Sequence, residues 1–302
     1  MENYGAYLTE LEQIEVRTLP VPGTGTGEAL IEVDYCGICG SDLHYYLEGK
    51  IGNLPKAPFP YILGHECAGT VLEVGENSKG IRVGDRVCIE PAVPCGQCHH
   101  CLSGRYNLCT HGYFISTPPA NGAMQRYLTF PVRMMHKLPD NVSTLEGALM
   151  EPLAVGAFAV KKGAPQPTDT VVILGMGCIG MVTMLCCLER GVKHVIVSDL
   201  CQNRLDLARQ LGATTTINAG SENVLDYHIP PSEQYAIVLK SNYGEIGGKV
   251  WKGFGVIRAS AGKIKLPGHY LLSVLNNALE QVRRLRVEAD ERFVHDDELR
   301  VM

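Results

Sequence analysis

Four cysteines crowded into fifteen residues restrict the fold of this chain more than any other feature of its sequence. Cys95, Cys98, Cys101 and Cys109 stand in PCGQCHHCLSGRYNLC with the spacing C-x2-C-x2-C-x7-C. Such short spacings let backbone turns aim four thiolates at one point, as a closed tetrahedral zinc site requires. An iron–sulfur cluster also uses dense cysteine runs, but the long final spacing and the lack of a following proline favour zinc. Because four sulfurs leave no open position for a substrate, the pattern predicts a structural zinc lobe.

His99 and His100 lie inside this array and are expected to be exposed, since the four sulfurs already complete the metal's shell. The chain has twelve cysteines in all, a high count that in a reducing compartment points to metal ligation or chemistry instead of disulfides. Those outside ligand positions are interpreted as small buried apolar side chains. They are Cys36, Cys67, Cys88, Cys178, Cys186, Cys187 and Cys201.

Length and composition are those of an ordinary globular protein. With 302 residues, of which 45% are hydrophobic, the chain is long enough for two domains with sizeable cores. A formal net charge of -5 provides no broad basic surface for nucleic-acid binding. The N-terminus lacks the pattern of a secretory signal, and no apolar run approaches the roughly eighteen residues that span a bilayer. We therefore expect no nucleic-acid or membrane partner and a cytoplasmic location.

The apolar pattern changes character along the chain. Up to about residue 150 it consists of short β-branched runs such as EALIEVDYCG, GTVLEVG and GDRVCIEP, broken by glycine and proline, which predicts a mostly β domain. The segment EPLAVGAFAVKKGAPQPTD predicts a helix followed by a proline-broken linker. From residue 168, TVVILG, an apolar helix, HVIVSD, the helix NRLDLARQLGA and the strand TTTIN predict a βαβαβ unit with parallel strands. The predicted fold class is therefore α/β.

The turn after the first of these strands carries a dinucleotide-binding pattern. Gly175, Gly177 and Gly180 form G-x-G-x-x-G, which permits a tight turn, close approach to a pyrophosphate and close helix–strand packing. Ile179 in the same turn is assigned to the cofactor site with them. The N-terminus of the helix supplies unpaired N–H donors for the phosphates.

An acidic residue at the end of the next strand strengthens this prediction. Asp199 follows Gly180 by nineteen residues, where its carboxylate can accept hydrogen bonds from both ribose hydroxyls and repel a 2'-phosphate. NAD is therefore favoured over its phosphorylated form. Arg204 nearby could soften this preference, although a solvated arginine at the start of a helix is the alternative interpretation.

Seven further segments, outside the dinucleotide turn, are informative through their order along the chain. They are GICGSDLHYYLEGKIGN, ILGHECAGTVLEVG, GDRVCIEP, the four-cysteine lobe, STPPANGA, KLPDNVS and EGALMEPLAVG. In the order and spacing of these segments the chain resembles the zinc-containing medium-chain alcohol dehydrogenases. The residues within the segments are most similar to those of the sorbitol and polyol dehydrogenase branch. The resemblance covers about residues 1–220. It implies a GroES-like catalytic domain over 1–160, a Rossmann-like NAD-binding domain over 161–302, and oxidation of a polyol's secondary alcohol by NAD.

The resemblance also implies a second zinc, which would be catalytic. It makes Cys39 and His65 direct ligands, Glu66 a ligand or near-ligand, and Glu151 the acidic group that replaces the second cysteine of ordinary alcohol dehydrogenases. Neighbouring side chains of an extended chain leave on opposite faces. Local bending, or a water between Glu66 and the metal, is therefore expected.

The segment CGSDLH supplies further roles by the same resemblance. Ser41 and His44 occupy the positions that pass the substrate's proton outward, while Asp42 would orient the imidazole of His65. The alternative for Ser41 and His44 is a surface loop without a role. Tyr45 is expected either to line the substrate pocket or to be a buried aromatic.

Residues 221–302 do not match the family and are expected to be divergent. In this part YAIVL predicts one strand, and the spacing of apolar residues in LLSVLNNALEQVRRLRV predicts a helix. Strong divergence, an aberrant or truncated reading frame, and loss of activity with retention of the zinc lobe are the open explanations. The alternatives to a polyol dehydrogenase are thus a catalytically silent zinc- and nucleotide-binding protein, or an L-threonine or butanediol dehydrogenase. By resemblance, a homodimer or homotetramer is expected.

Overall fold

The protein is described by a computed structural model that gives residues 1–52 and 56–222 in full. Beyond them it gives four strands as backbone, at 235–240, 244–246, 249–251 and 255–260. The chain divides into two compact units, Met1–Ala154 and Val155–Met302. Among the described residues, no helix has the length and apolar character that crossing a bilayer requires.

The first unit is built mainly from strands, as its short β-branched runs predict. The strands are β1 Asn3–Glu10, β2 Gln13–Leu19, β3 Glu28–Gly37, β4 Tyr61–Ile62, β5 Glu66–Val74, β6 Arg86–Ile89, β7 Ala92–Val93, β8 Tyr113–Phe114, β9 Tyr127–Pro131 and β10 Met135–Lys137. The helices are α1 Gly40–Glu48, α2 His99–Leu102, α3 Thr144–Ala148 and α4 Met150–Gly163, with 3-10 turns at Tyr106–Leu108 and Val132–Met134. Helix α4 crosses the division between the units.

These strands form two larger sheets and one small ribbon. A five-stranded sheet has the order β10-β6-β5-β3-β9, a three-stranded sheet has the order β2-β1-β4, and β7 pairs with β8. Ile31, Val71, Val87 and Phe130 are at most 1% exposed in the core of the larger sheet. Strand β3 is flanked by β5 and β9, and this central position explains why its ALI run is buried throughout. At one end of this sheet, Gly37 of β3 pairs with Glu66 of β5. The predicted zinc ligands Cys39 and His65 lie close to these two residues in the chain.

The second unit contains the predicted parallel βαβαβ arrangement. Its elements are β11 Thr170–Leu174, α5 Cys178–Glu189, β12 His194–Asp199, α6 Gln202–Gln210, β13 Thr215–Asn218, β14 Tyr235–Lys240, β15 Gly244–Ile246, β16 Lys249–Trp251 and β17 Gly255–Ser260. The sheet order is β13-β12-β11-β14-β17. Strand β11 pairs in parallel with both β12 and β14. The predicted fold class, a mostly β domain followed by a Rossmann-type sheet, is confirmed.

The sheet departs from a parallel arrangement at one edge. The YAIVL segment forms β14, as predicted, but β17 pairs with β14 antiparallel. A parallel neighbour would need a crossover connection, usually through a helix. Here the connection between β14 and β17 carries the antiparallel hairpin β15–β16 instead. The helix predicted in LLSVLNNALEQVRRLRV lies outside the described residues.

We predict that Gly180→Ala destabilises the second unit by about 3 kcal/mol, because the added Cβ would overlap the carbonyl oxygen of Gly175. Gly177→Ala is the matched control. Its Cβ would meet nothing within 4 Å, and its φ is −70°, so the expected cost is at most about 1 kcal/mol, from the weaker N-cap. Thermal unfolding of both variants checks this order, and equal melting temperatures would contradict it.

Candidate functional site

The site begins at the N-terminus of α1, where Cys39 is the N-cap. The backbone N–H of Cys39 donates to Oδ2 of Asp42 at 2.8 Å, which satisfies one of the donors that a helix start leaves unpaired. Ser41 and Asp42 are buried, at 9% and 2% exposure. The first turn of α1 thereby fixes the backbone from which the Cys39 thiol projects.

The second part of the site is a bend before β5. Gly64 has φ +92°, and a Cβ there would lie 2.6 Å from Sγ of Cys36, so only glycine fits. His65 precedes the strand, which starts at Glu66, and strand alternation therefore does not separate the two side chains. Of the two alternatives expected from the sequence, local bending or a water between Glu66 and the metal, the bend at Gly64 agrees with the first. One ligand atom each from Cys39, His65 and Glu66 lie within 4.8 Å of one another.

Glu151 lies in the first turn of α4 and is half-buried. Among the described residues it is not part of the tight group formed by Cys39, His65 and Glu66. Burial raises the pKa of the Glu151 carboxyl to about 7, with further contributions from the charges of Glu66 and Asp42. Its carboxyl therefore shares the electrostatic environment of the group without touching all its members.

Burial works against charge throughout this group. It raises the pKa of the Cys39 thiol to about 11, raises that of Glu66, and lowers that of His65 against the opposing effect of Asp42. Neutral imidazole is the form that binds metals. Thiolate and carboxylate ligands buried together need a compensating positive charge, which a divalent cation supplies. The donor set thus fits a zinc ion.

Two further residues lie near His65: Phe114 contacts its ring, and Ser116 contacts its neighbour Asp42. The Phe114 ring lies edge-on to the imidazole, with centroids 5.2 Å apart. The Ser116 hydroxyl donates to Oδ1 of Asp42 at 3.0 Å, and the same oxygen lies 3.9 Å from Nδ1 of His65. Sequence reasoning missed both residues, because Ser116 is 74 positions from Asp42 and carries no ligand chemistry of its own.

The remaining residues predicted in CGSDLH lie on α1. Ser41 forms a hydrogen bond with Cys39 that opposes the rise in the thiol's pKa. His44 is 29% exposed, and its Nδ1 lies 3.4 Å from Oε1 of Glu48. Tyr45 is 2% exposed and lies edge-on to Tyr61 in the core, so the structure places it among buried aromatics.

The four-cysteine lobe has sulfur geometry suited to zinc. Sγ of Cys98 lies 3.5 Å from that of Cys101 and 3.8 Å from that of Cys109, and the Cys95 and Cys101 sulfurs are 3.8 Å apart. A tetrahedral site with Zn–S of roughly 2.3 Å separates its sulfurs by about 3.8 Å. Hydrogen bonding, chiefly from the Cys101 backbone, lowers the pKa of Cys98 to about 5. The four sulfurs are therefore arranged as metal ligands.

The two lobe histidines differ in exposure. His99 is exposed, as expected, whereas His100 is half-buried and its Nδ1 is inaccessible without a hydrogen-bond partner in the structure. The expectation that both are exposed is therefore wrong for His100. Its ring lies beside that of His99, with centroids 5.7 Å apart.

The dinucleotide turn lies between β11 and α5, where the sequence predicts it. Gly175 has φ +92°, which glycine alone adopts readily, and Gly177 is the N-cap of α5. Ile179 is half-buried in the first turn of this helix. Asp199 ends β12, and its Oδ2 accepts the N–H of Met176 at 2.6 Å. The carboxylate is thereby tied directly to the glycine turn.

The opposite oxygen of Asp199 is also held. Its Oδ1 accepts the N–H of Cys201 at 2.8 Å. Nη1 of Arg204 lies 3.8 Å from Oδ2, while the arginine side chain is 56% exposed. Arg204 therefore combines both interpretations from the sequence, since it is solvated and still faces the carboxylate.

Comparisons with known proteins agree with this arrangement. The alcohol dehydrogenase GroES-like domain family matches residues 25–140. Sorbitol dehydrogenase of Bacillus subtilis is 42% identical over 221 residues, which cover 73% of this chain and 62% of that enzyme. An Escherichia coli oxidoreductase of unknown specificity is 42% identical in a solved structure, with a TM-score of 0.70 over 74% of this chain and 65% of the other.

A second solved structure contains a bound nucleotide. It is an Escherichia coli CFT073 protein described as a short chain alcohol dehydrogenase complexed with NADH, with 30% identity and a TM-score of 0.67 over 74% of this chain and 65% of the other. This chain spans less than two thirds of the length of each of the three proteins. Residues 25–140 therefore belong to the alcohol dehydrogenase GroES-like domain family, and over the matched part the chain is similar to zinc-containing medium-chain alcohol dehydrogenases of the sorbitol dehydrogenase branch.

Proposed function

We propose that this protein is a dehydrogenase that oxidises a secondary alcohol of a polyol and transfers the hydride to NAD. The observation that carries the proposal is the meeting of ligand atoms of Cys39, His65 and Glu66 within 4.8 Å, with His65 and Glu66 buried and Cys39 half-buried. The likeness to sorbitol dehydrogenases supports the substrate class. L-threonine or butanediol as the substrate is the neighbouring possibility.

Four residues would hold the catalytic zinc: Cys39, His65, Glu66 and Glu151. When bound there, zinc supplies a Lewis acid that polarises the substrate's oxygen and lowers the pKa of its hydroxyl. Asp42 orients the imidazole through its position beside Nδ1, so that Nε2 is free for the metal. Glu151, which lies outside the tight group, would complete the shell directly or through water.

The proton of the alcohol must leave the site, and two residues of α1 are suited to move it. The buried Ser41 hydroxyl lies beside the Cys39 sulfur, and three positions along the helix the half-exposed His44 faces Glu48. We assign Ser41 to take the proton and His44 to pass it to solvent. Partial exposure of His44 supports this role, because the final acceptor must exchange protons with water.

NAD would bind at the glycine turn of the second unit. Gly175, Gly177, Ile179 and Gly180 lie in the turn and helix start that would face the pyrophosphate. Asp199 would accept hydrogen bonds from the ribose hydroxyls, and its charge disfavours a 2'-phosphate. The exposed Arg204 partly offsets that charge.

The second zinc would be structural and held by Cys95, Cys98, Cys101 and Cys109. Sulfur separations close to those of a tetrahedral zinc site support this assignment. We further propose a homodimer or homotetramer in the cytoplasm. Four of the twelve cysteines are grouped as metal ligands, which suits a reducing compartment. Light scattering after size-exclusion chromatography measures the oligomeric state, and a monomer would contradict that part of the proposal.

Purified, zinc-loaded protein is predicted to produce NADH, followed by its absorbance, when sorbitol or xylitol is offered. Cys39→Ser should lower kcat/KM by a factor of about 100 or more, because Lewis-acid polarisation is worth several kcal/mol. Cys186→Ser, at a half-buried thiol of α5 outside both cysteine groups, is the matched control and should retain activity. Faster turnover of L-threonine or butanediol than of sorbitol or xylitol would assign that compound as the substrate instead. No turnover across the panel would favour a silent zinc- and nucleotide-binding protein.

Asp199→Ala is predicted to weaken NAD binding by about tenfold or more, because it removes charge-assisted hydrogen bonds at the ribose. Its preference for NAD over NADP should fall as well. Calorimetric titration with both nucleotides measures this. Arg204→Ala serves as the control, since loss of a facing cation should sharpen the preference for NAD. Unchanged discrimination in Asp199→Ala would argue against the assigned ribose contact.

Cys101→Ser is predicted to reduce the zinc content by one ion per chain and to lower the melting temperature, since a structural zinc contributes directly to folding. Elemental analysis and thermal unfolding measure both effects. Cys186→Ser again provides the comparison and should keep the full zinc content. Two zinc ions retained by Cys101→Ser would rule out the four-sulfur site.

A further inference from the structure

We infer that Ser116 is a positioning residue for the metal site. Through its hydroxyl it holds Asp42, and through Asp42 it holds His65, in the orientation that metal binding needs. The inference rests on the proposed function of Cys39 and His65 as zinc ligands.

The hydrogen bonds of Asp42 carry the first step. Oδ1 accepts the Ser116 hydroxyl at 3.0 Å and the N–H of Gly64 at 3.1 Å. The same oxygen is the one nearest the imidazole, 3.9 Å from Nδ1 of His65. Two fixed donors therefore determine where this carboxylate oxygen sits relative to the ring.

Burial makes the Ser116 hydroxyl difficult to replace. Asp42 is 2% exposed and Ser116 is 3% exposed. A buried carboxylate that loses a hydrogen-bond donor has no solvent water available in its place. Without this donor only the N–H of Gly64 still holds Oδ1, so the position of this oxygen beside His65 is less firmly fixed.

The backbone around Ser116 shows why a serine there is informative. The N–H of Thr117 donates to the carbonyl of Phe114 at 3.1 Å, which closes a four-residue turn with Ser116 in its third position. Ser116 has φ +65°, in the left-handed region where turns of this kind favour glycine or asparagine. A serine held in that conformation must be stabilised by its surroundings, and the bond to Asp42 is the interaction that its hydroxyl makes.

The turn is anchored to the segment that contains Pro91 and β7. The N–H of Ile115 donates to the carbonyl of Pro91 at 3.2 Å, and β8 pairs with β7 immediately before the turn. Phe114 of β8 lies against the His65 ring. The segment that follows the four-cysteine lobe thus places the Phe114 ring against the imidazole of His65. It also places the Ser116 hydroxyl against the carboxylate of Asp42.

Two variants separate positioning from stability. Ser116→Ala removes the hydroxyl but keeps a side chain in the left-handed conformation. Ser116→Gly removes the hydroxyl and also relieves the backbone, so its melting temperature should stay close to that of the wild type. In both variants we expect zinc to leave the Cys39 and His65 site at a chelator concentration about tenfold lower, as for other partners of metal ligands.

The measurement is a chelator titration of the zinc-loaded full chain, with thermal unfolding recorded on the same samples. Zinc of this site is identified as the class missing from Cys39→Ser. Ser78→Ala is the matched control, since it also removes one hydroxyl donor in the first unit, the bond to the Glu28 carbonyl at 3.0 Å. This control should lose zinc at the wild-type chelator concentration.

The inference is overturned if Ser116→Gly releases this zinc at the wild-type chelator concentration. It is overturned equally if the loss in Ser116→Ala and Ser78→Ala is the same and follows melting temperature alone. Absence of alcohol oxidation by the wild type would contradict the proposed function and leave the chelator result standing. Normal turnover with an unchanged titration would remove the role of Ser116 alone.

Discussion

The carboxylate of Asp42 connects three of the segments that surround the predicted catalytic metal site. One oxygen binds the N–H of Cys39 at the start of α1, and the other binds Gly64 at the bend before β5 and Ser116 beyond the lobe. A side chain that is 2% exposed thus ties together three segments that are distant in sequence. Since Cys39 and His65, the two predicted direct ligands, lie next to these contacts, their placement depends on this one group.

The arrangement concentrates acidic groups where water cannot stabilise them. Burial raises the pKa of Cys39 to about 11 and that of Glu151 to about 7, so at neutral pH and without a cation the Cys39 thiol stays protonated and Glu151 is only about half ionised. A divalent metal reverses this situation by stabilising thiolate and carboxylate together. The four-cysteine lobe differs from this site, because its four sulfurs can complete the shell of a metal by themselves. They leave no coordination position for a substrate.

Local sequence signals predicted what depends on local geometry. The cysteine lobe, the glycine turn and the strand ending at Asp199 were readable because their residues lie close together along the chain. The contacts of Ser116 and Phe114 were not, since they depend on how distant strands pair. The antiparallel pairing of β17 was missed for the same reason, as it is set by tertiary packing.

Diffraction at the zinc absorption edge, from crystals of the zinc-loaded chain, would locate the metal independently of any activity. Two anomalous peaks are expected, one among the four lobe sulfurs and one within bonding distance of Sγ of Cys39 and Nε2 of His65. A single peak in the lobe, with Cys39 and His65 turned away from each other, would contradict the proposed catalytic site.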